Sequence, residues 1–186
     1  MGDPMGDLMT GPYDTLPAVP EFAVTSADVA DGAPLPPPQF AAMSGVAGAE
    51  DRSPQLSWSG FPAATRSFVV TMYDPDAPSP SGFWHWAVAD IPADATSLDA
   101  GAGALGDGEL PDGAFHIAND VRATAYVGAA PPPGTGKHRY HIAINALDAP
   151  SVRTLGVTPE STPAALGFLT VGHTIARAVL VPWAGE

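Results

Sequence analysis

The sequence predicts a mainly β fold in a single domain, and three observations lead to this prediction. The 186 residues include 22 prolines and 20 glycines, spread as short turn signals between apolar runs, a pattern typical of many short strands. The strongest apolar run, residues 67–72, is β-branched and aromatic and carries no helix signal. A chain of this length buries roughly two-thirds of its unfolded surface, which is enough for one core.

The first part of the chain leads into the predicted domain. Residues 1–20 are rich in Gly, Pro and Asp, and we expect an irregular lead-in to a domain that spans residues 21–186. Residues 21–26 are a candidate first strand. Residues 56–58 predict a short strand, in which Trp58 is expected to anchor the core.

The two strongest strand signals, residues 67–72 and 83–91, flank a turn that proline stiffens. Pro75 crowds the residue before it and so favours an extended conformation for Asp74. Pro78 fixes the backbone further along the turn. The two strands are therefore expected to lie at the centre of the sheet, with a rigid connection between them.

This turn carries titratable side chains. Because side chains alternate along an extended chain, Asp74 and Asp76 are expected to point to the same side. His85 stands near the start of the following strand. Rigid backbone would then deliver two carboxylates and an imidazole to one end of the sheet. The alternative, that the carboxylates only form the turn, remains open on the residues alone.

The second half begins with a long polar excursion over residues 92–113, which is either a functional loop or a disordered one. Residues 115–117 resume order. Residues 124–127 predict a short strand that enters a loop rich in Gly and Pro. Residues 138–147 form the clearest strand signal of this half.

Alternation within that strand assigns its side chains to two faces. His138 and Tyr140 begin a face that continues as core, as expected for a pocket at the end of a sheet. Arg139 points the other way and is expected to pair with an acid. His141 shares the face of Arg139, and we expect it at the surface or with its hydrogen bonds satisfied.

Residues 161–180 predict a helical segment at the C-terminus. Thr162 can cap its N-terminus and Pro163 suits its first turn. Gly167 and Gly172 weaken the helix signal, so two short helices are also compatible with the pattern.

The charge balance excludes several partners. The net charge is −13, with seven basic residues against 20 acidic ones, so we expect no nucleic-acid partner and no stable membrane association. The absence of cysteine excludes disulfides and thiol chemistry. Residues 1–20 lack a basic and apolar signal segment, and no run reaches the ~20 apolar residues of a membrane span. We therefore expect a cytoplasmic protein, or one exported by a route that this sequence does not reveal.

Two motifs together carry a resemblance. The run Asp-Pro-Asp-Ala-Pro at residues 74–78, followed by a His between two Trp at residues 84–86, resembles the signature of the phosphatidylethanolamine-binding protein family, which includes the Raf kinase inhibitor proteins. Residues 126–140 resemble the family's Gly/Pro loop that ends in His-Arg-Tyr. Residues 53–60 are a weaker third match. The matches follow the family's order, and the chain length suits its bacterial branch.

The resemblance implies a β-sandwich of two antiparallel sheets with short peripheral and C-terminal helices. It also implies a pocket without metal or cofactor that accepts phosphate-like groups, including phospholipid head groups. The residues that it assigns to ligand binding are Asp74, Asp76, His85, Gly128, Ala130, His138 and Tyr140, and those that would support them are Pro75, Pro78, Trp84, Trp86 and Arg139.

Physical chemistry suggests how such a pocket would hold an anion. A carboxylate that accepts a bond from one imidazole nitrogen favours the protonated ring, whose other N–H can face the ligand. Backbone N–H groups at residues 128–130 could form a small concave anion site, and Tyr140 adds a hydroxyl. Anion affinity should then fall as pH rises through the pKa values of the histidines.

Two alternatives use the same residues. Asp74, Asp76, His85 and His138 are acceptable metal ligands, although their spacing matches no metal signature. An acid–base enzyme such as an isomerase or cyclase is the second alternative; the chain has no cysteine and no Gly-x-Ser-x-Gly nucleophile motif. The leading hypothesis is non-enzymatic binding of a small anionic ligand. Regulation of a protein partner such as a kinase, and a homodimer, are further expectations from the resemblance.

Overall fold

The structure is a computed structural model and describes residues 11–106 and 109–186. Residues 1–10 of the predicted lead-in lie outside the described part; residues 11–20 contain turns and no strand or helix. The described elements are β1 (Ala23–Thr25), β2 (Leu56–Ser59), β3 (Ser67–Asp74), β4 (Phe83–Pro92), β5 (Ser97–Leu98), β6 (Phe115–His116), β7 (His138–Arg139), β8 (His141–Leu147), α1 (Pro163–Thr170), β9 (Thr174–Leu180) and β10 (Trp183–Ala184). Short 3-10 turns span Pro37–Gln39, Ala42–Ser44, Val152–Leu155 and Val171–His173.

The strands form one large and two small antiparallel sheets. The large sheet has the order β6-β4-β3-β8-β9, and the small sheets are β1-β2-β5 and β10-β7. The predicted mainly β class is thus confirmed. The part of the chain that the structure describes contains no helix that is both long and apolar enough to cross a bilayer.

The central strand β3 is buried on both faces, which explains its nearly unbroken apolar sequence. On one face, Phe68, Val70 and Met72 join the larger core together with Trp58. On the other face, Val69 packs in a second core with residues that include Leu166 of α1.

The C-terminal helix prediction is correct only for the first half of its range. Thr162 caps α1 by accepting the N–H of Ala165 at 3.1 Å, but residues 174–180 form β9, which pairs with β8. Residues 176, 178 and 180 are buried while their neighbours are half-buried. The sequence did not show the alternation of large apolar and polar residues that marks a strand, because alanines occupy two of the three buried positions.

The predicted strand at residues 124–127 is also wrong. These residues follow an irregular path across the end of the large sheet, where the N–H groups of Tyr126 and Val127 donate to the carbonyls of Gly103 (2.7 Å) and His85 (3.0 Å). The long excursion over residues 92–113 is partly regular, because β5 lies within it and pairs with β2.

The predicted strand at residues 138–147 is interrupted at Tyr140, whose N–H donates to the Pro182 carbonyl at 2.8 Å. As a result, β8 stays in the large sheet, while β7 turns away and pairs with β10. This interruption moves His138 out of the plane of the large sheet and towards the turn after β3.

Candidate functional site

A cavity of about 260 Å³ lies where the turn after β3, the start of β4 and the loop before β7 meet. Its polar side chains are those of Asp74, His85, His138 and Tyr140. The other wall residues are Ala41, Met43, Ala77, Pro78, Phe83, Val121, Val127, Gly128, Ala130, Pro131 and Pro132. The structure therefore brings six of the seven expected ligand-binding residues together around one cavity, and the seventh, Asp76, is not part of its wall.

His85 is the most distinctive polar group of this cavity. His85 is only 5% exposed, and its Nδ1 donates a hydrogen bond to the Val127 carbonyl at 3.0 Å. Burial lowers the pKa of His85, which outweighs the opposing effects of the Val127 carbonyl and the Asp74 charge. The imidazole is therefore neutral at neutral pH, and Nε2, which makes no hydrogen bond within the described chain, is the nitrogen left to accept one.

The sequence predicted that a carboxylate would hold an imidazole without indicating which one, and in the structure Asp74 holds that of His138. Asp74 Oδ2 accepts from His138 Nδ1 at 2.7 Å, and both side chains are buried. His138 Nε2 lies 2.8 Å from the Thr135 hydroxyl, which itself donates to the Pro132 carbonyl at 2.6 Å. Both ring nitrogens of His138 thus have partners in the protein, so the expected free N–H for a ligand is not available on this residue.

Asp76 has a different role from the one its sequence position suggested. Strand β3 ends at Asp74, so alternation does not continue into the turn, and Asp76 instead meets Arg139. Its Oδ2 accepts from Arg139 Nε and its Oδ1 from Nη2, both at 2.8 Å. Burial would raise the pKa of Asp76, but the hydrogen bonds and charge of Arg139 outweigh it and leave the pKa below its ordinary value. The pair fastens β7 to the turn after β3.

Two of the three backbone N–H groups in the anion site expected at residues 128–130 are bonded within the protein. The N–H of Gly128 donates to Asp51 Oδ1 at 2.7 Å, and the N–H of Ala129 donates to the Gln39 carbonyl at 3.0 Å. Gly128 is required for close packing, since a Cβ would overlap the backbone of Phe40 and Ala41. Asp51 was missed at the sequence level, because no local pattern links it to a loop 77 residues later in the chain.

Tyr140 is fully buried, and its hydroxyl has no hydrogen-bond partner within the described part of the chain. Burial raises the pKa of Tyr140, and the charges of Asp74 and Asp76 add to this effect. Its ring meets that of His85 edge-on, with 5.2 Å between centroids. Tyr140 is therefore a neutral phenol whose donor is unused in the protein.

The remaining supporting residues are structural. Trp86 is fully buried in the core, and Trp84 packs on the ring of Tyr73 with 4.4 Å between centroids. Pro78 lines the cavity, whereas Pro75 does not.

The sequence analysis missed the apolar mouth of the cavity. Met43 is 91% exposed and Val121 is 54% exposed, and both line the cavity. Their segments carry no motif, and only the exposure of large apolar side chains in the folded chain reveals them. Within residues 11–106 and 109–186, no three His, Asp or Glu side chains are grouped so that they could hold a metal ion.

These features define a class of mainly β proteins with a cavity of small-ligand size at one end of the central sheet. The chain belongs to the phosphatidylethanolamine-binding protein family, because the family model with that description matches residues 25–182.

Individual relatives agree with this assignment. The UPF0098 protein YbhB of Escherichia coli is 42% identical over 153 residues, which cover 82% of this chain and 93% of that protein. The crystal structure of E. coli YbcL, described as a member of the mammalian PEBP family, superposes with a TM-score of 0.83 at 37% identity, covering 89% of this chain and 99% of YbcL. The PEBP homologue CT736 of Chlamydia trachomatis shares the fold, with a TM-score of 0.68 at 24% identity, covering 89% of this chain and 98% of CT736.

Proposed function

We propose that the protein binds a small phosphate-bearing ligand, a phosphate monoester such as phosphoethanolamine, in the cavity beside His85, and that it does so without chemical turnover. Membership of the family supports binding of a small ligand. The observation that carries the proposal is the buried His85, whose Nε2 is the one ring nitrogen that the two cavity histidines leave unbonded within the described chain.

The chemistry of this nitrogen requires a ligand that brings a proton. The pKa of His85 is lowered by burial, so the free protein presents an accepting nitrogen rather than a cation. A phosphate monoester titrates near pH 6 and therefore carries a proton on part of its population at neutral pH. That proton can be donated or transferred to Nε2, and the resulting imidazolium and phosphate neutralise each other inside the apolar walls.

The neighbouring groups complement such a ligand. The unused Tyr140 hydroxyl offers a second hydrogen-bond donor. Asp74 does not repel the anion with a bare charge, because Oδ2 accepts from His138 and Oδ1 accepts the N–H of Asp76 at 2.8 Å. The exposed Met43 and Val121 at the mouth suit a ligand with carbon groups next to its phosphate.

The proposal predicts that binding takes up a proton. In the free protein the pKa of His85 is lowered, and a bound anion raises it. Affinity should therefore be greatest at low pH and should fall as pH rises through the pKa of His85 in the complex. Calorimetric titration with phosphoethanolamine, in two buffers of different ionisation enthalpy, measures the proton uptake directly.

The matched variants are His85→Gln and His173→Gln. His173 is an exposed histidine that pairs with Asp148, so its replacement controls for the loss of a ring elsewhere. We expect at least a tenfold loss of phosphoethanolamine affinity in His85→Gln and no change in His173→Gln. Equal affinity in wild type and His85→Gln would show that the ligand does not bind at this histidine.

A second candidate function is acid–base catalysis in the same cavity, and one observation favours it. Asp74, His138 and Thr135 form a chain of carboxylate, imidazole and hydroxyl with successive distances of 2.7 and 2.8 Å. Against a nucleophilic role, the Thr135 hydroxyl donates to the Pro132 carbonyl. A metabolite screen for turnover, with Asp74→Asn as the control, separates the two: turnover lost in this variant supports catalysis, and binding without turnover supports the leading proposal.

A protein partner and a homodimer remain proposals that are supported by the family resemblance. Sedimentation velocity at several protein concentrations tests the dimer. A pull-down with wild type and with a ligand-deficient His85→Gln variant tests whether any partner depends on the cavity.

A further inference from the structure

A second and larger cavity lies on the opposite side of β8 from the larger core. It measures about 510 Å³ and is bounded by residues 11–22 on one side and by β8 and β9 on the other. Its size is within the roughly 300–1,000 Å³ of small-molecule sites. It shares no wall residue with the cavity at His85, so a ligand here would be independent of the function proposed above.

The cavity contains a guanidinium for which the described residues provide no neutralising carboxylate. Arg177 Nε donates to Asn145 Oδ1 at 2.7 Å, and the guanidinium carbon lies 4.7 Å from the centre of the Tyr13 ring. No carboxylate of the described residues is within ion-pair distance of Arg177. In a chain with 20 acidic and seven basic residues, a half-buried cation without an acid is a conspicuous exception, because buried charges are normally paired.

A second polar group in the same wall is also without a partner. His141, which the sequence placed at the surface or satisfied, is 6% exposed. Its Nε2 is buried and makes no hydrogen bond within the described chain, and its ring lies edge-on to Tyr13 at 6.2 Å. Since buried polar atoms nearly always have a partner, this nitrogen and the Nη groups of Arg177 are available to bind a polar group of a ligand.

The surroundings decide which ligand fits. Leu16, Phe22, Val179 and Val181 give the cavity apolar walls. The exposed Asp14 and Glu21 stand at its boundary and disfavour a dianion such as phosphate. A guanidinium whose Nε is occupied still presents its two Nη groups as a fork, which matches one planar carboxylate. A neutral imidazole in its Nε2–H form donates to the same group.

We propose that this second cavity binds an organic monocarboxylate with an apolar body, anchored by the Nη groups of Arg177 and by His141. The probe is hexanoate, and hexylammonium has the same carbon chain with the opposite charge. Titrations of the full chain are followed by ¹H–¹⁵N NMR, which locates the site through the Arg177 side-chain Nε–H and the backbone of β9.

Three variants make the test specific. Arg177→Gln removes the charge and retains a side-chain donor near Asn145. Arg66→Gln removes a charge from an exposed arginine for which the described contacts give no side-chain partner, so it matches the change in net charge. Val179→Phe fills the cavity without altering Arg177. This variant replaces Arg177→Gln in the test if Arg177→Gln fails to fold. His85→Gln reports whether the two cavities are separate.

We expect hexanoate to shift the Arg177 and β9 resonances, with at least a tenfold loss of affinity in Arg177→Gln and in Val179→Phe. Affinity in Arg66→Gln and in His85→Gln should equal that of wild type. The proposal is overturned by equal affinity in Arg177→Gln, by equal binding of hexylammonium, by shifts confined to the cavity at His85, or by no binding of hexanoate at millimolar concentration.

Discussion

At the scale of single residues, two carboxylates separated by one position have unrelated roles. Asp74 is buried, lines the cavity and binds His138. Asp76 lies in the following turn and binds both the side chain and the backbone N–H of Arg139. The end of β3 between them causes this difference, because alternation of side chains applies only while the chain is extended.

The Asp76–Arg139 pair predicts a pH-dependent loss of stability in Asp76→Asn. We expect a decrease of about 1 kcal/mol in the free energy of unfolding at neutral pH, a value reduced for the partial exposure of the pair. The pKa of Asp76 is below its ordinary 3.8, so its contribution is fully present above that value and is lost as pH falls through the lowered pKa. Urea unfolding of both proteins at neutral pH and in acid measures the difference.

The control for this prediction is Asp148→Asn, because Asp148 pairs with a histidine in a largely exposed position. A stability difference between wild type and Asp76→Asn that persists unchanged in strong acid would contradict the assigned role of the charge.

Removal of the Tyr140 hydroxyl distinguishes an effect on stability from an effect on ligand binding. Removal of a buried hydroxyl that has no partner in the described chain should change the free energy of unfolding by less than about 1 kcal/mol, because no hydrogen bond is broken. If this hydroxyl serves the ligand, Tyr140→Phe should lower phosphoethanolamine affinity while thermal stability is kept. A large loss of stability with unchanged affinity would assign Tyr140 to the core alone.

At the scale of elements, the cavity is built where two loops cross the end of the large sheet. Ala129 forms a bridge with Phe40, and the Asp51 carboxylate accepts the N–H groups of both Ala42 (2.9 Å) and Gly128 (2.7 Å). Hydrogen bonds therefore link the two loops, and the cavity walls depend on contacts between segments that are far apart in sequence.

Two glycine-to-alanine substitutions test whether the two loops pack closely, because Gly128 is tightly packed and Gly167 is surrounded by open space. Gly128→Ala should destabilise the protein by about 1–3 kcal/mol, because its Cβ has no space against the Phe40 and Ala41 backbone. Gly167→Ala, in α1 with open space around the new methyl group, should be neutral or stabilise by up to about 1 kcal/mol. Chemical denaturation of both variants checks the contrast, and an equal effect would refute close packing at Gly128.

At the scale of the whole molecule, the net charge of −13 opposes association with other anionic surfaces. Even if a phospholipid head group fits the cavity at His85, we expect no binding to vesicles rich in anionic lipid at low salt, because the long-range repulsion is then least screened. Vesicle flotation measures this directly, with neutral vesicles as the control. Co-flotation with anionic vesicles alone would show that a local surface overrides the net charge.

Much of the β architecture followed from local sequence. Strands were predicted at residues 67–72 and 83–91 because these runs are apolar and bounded by proline and glycine, and the structure extends them to Ser67–Asp74 and Phe83–Pro92. The motifs at residues 74–86 and 126–140 indicated the family. The strand at residues 174–180 was missed because alanines blur the distinction between the periods of helix and strand. Only its pairing with β8 shows that it is extended.

The sequence by itself therefore determined the fold class, the family and the set of chemical groups near the cavity, since these depend on local pattern and on short motifs. The tertiary structure decided which groups pair: Asp74 with His138, Asp76 with Arg139, and Gly128 with Asp51. It also decided that, among the described residues, Nε2 of His85 and the Nη groups of Arg177 have no hydrogen-bond partner. Hydrogen-bond partners and burial arise from contacts between distant segments, and the directions of those contacts are not encoded in any single stretch of the chain.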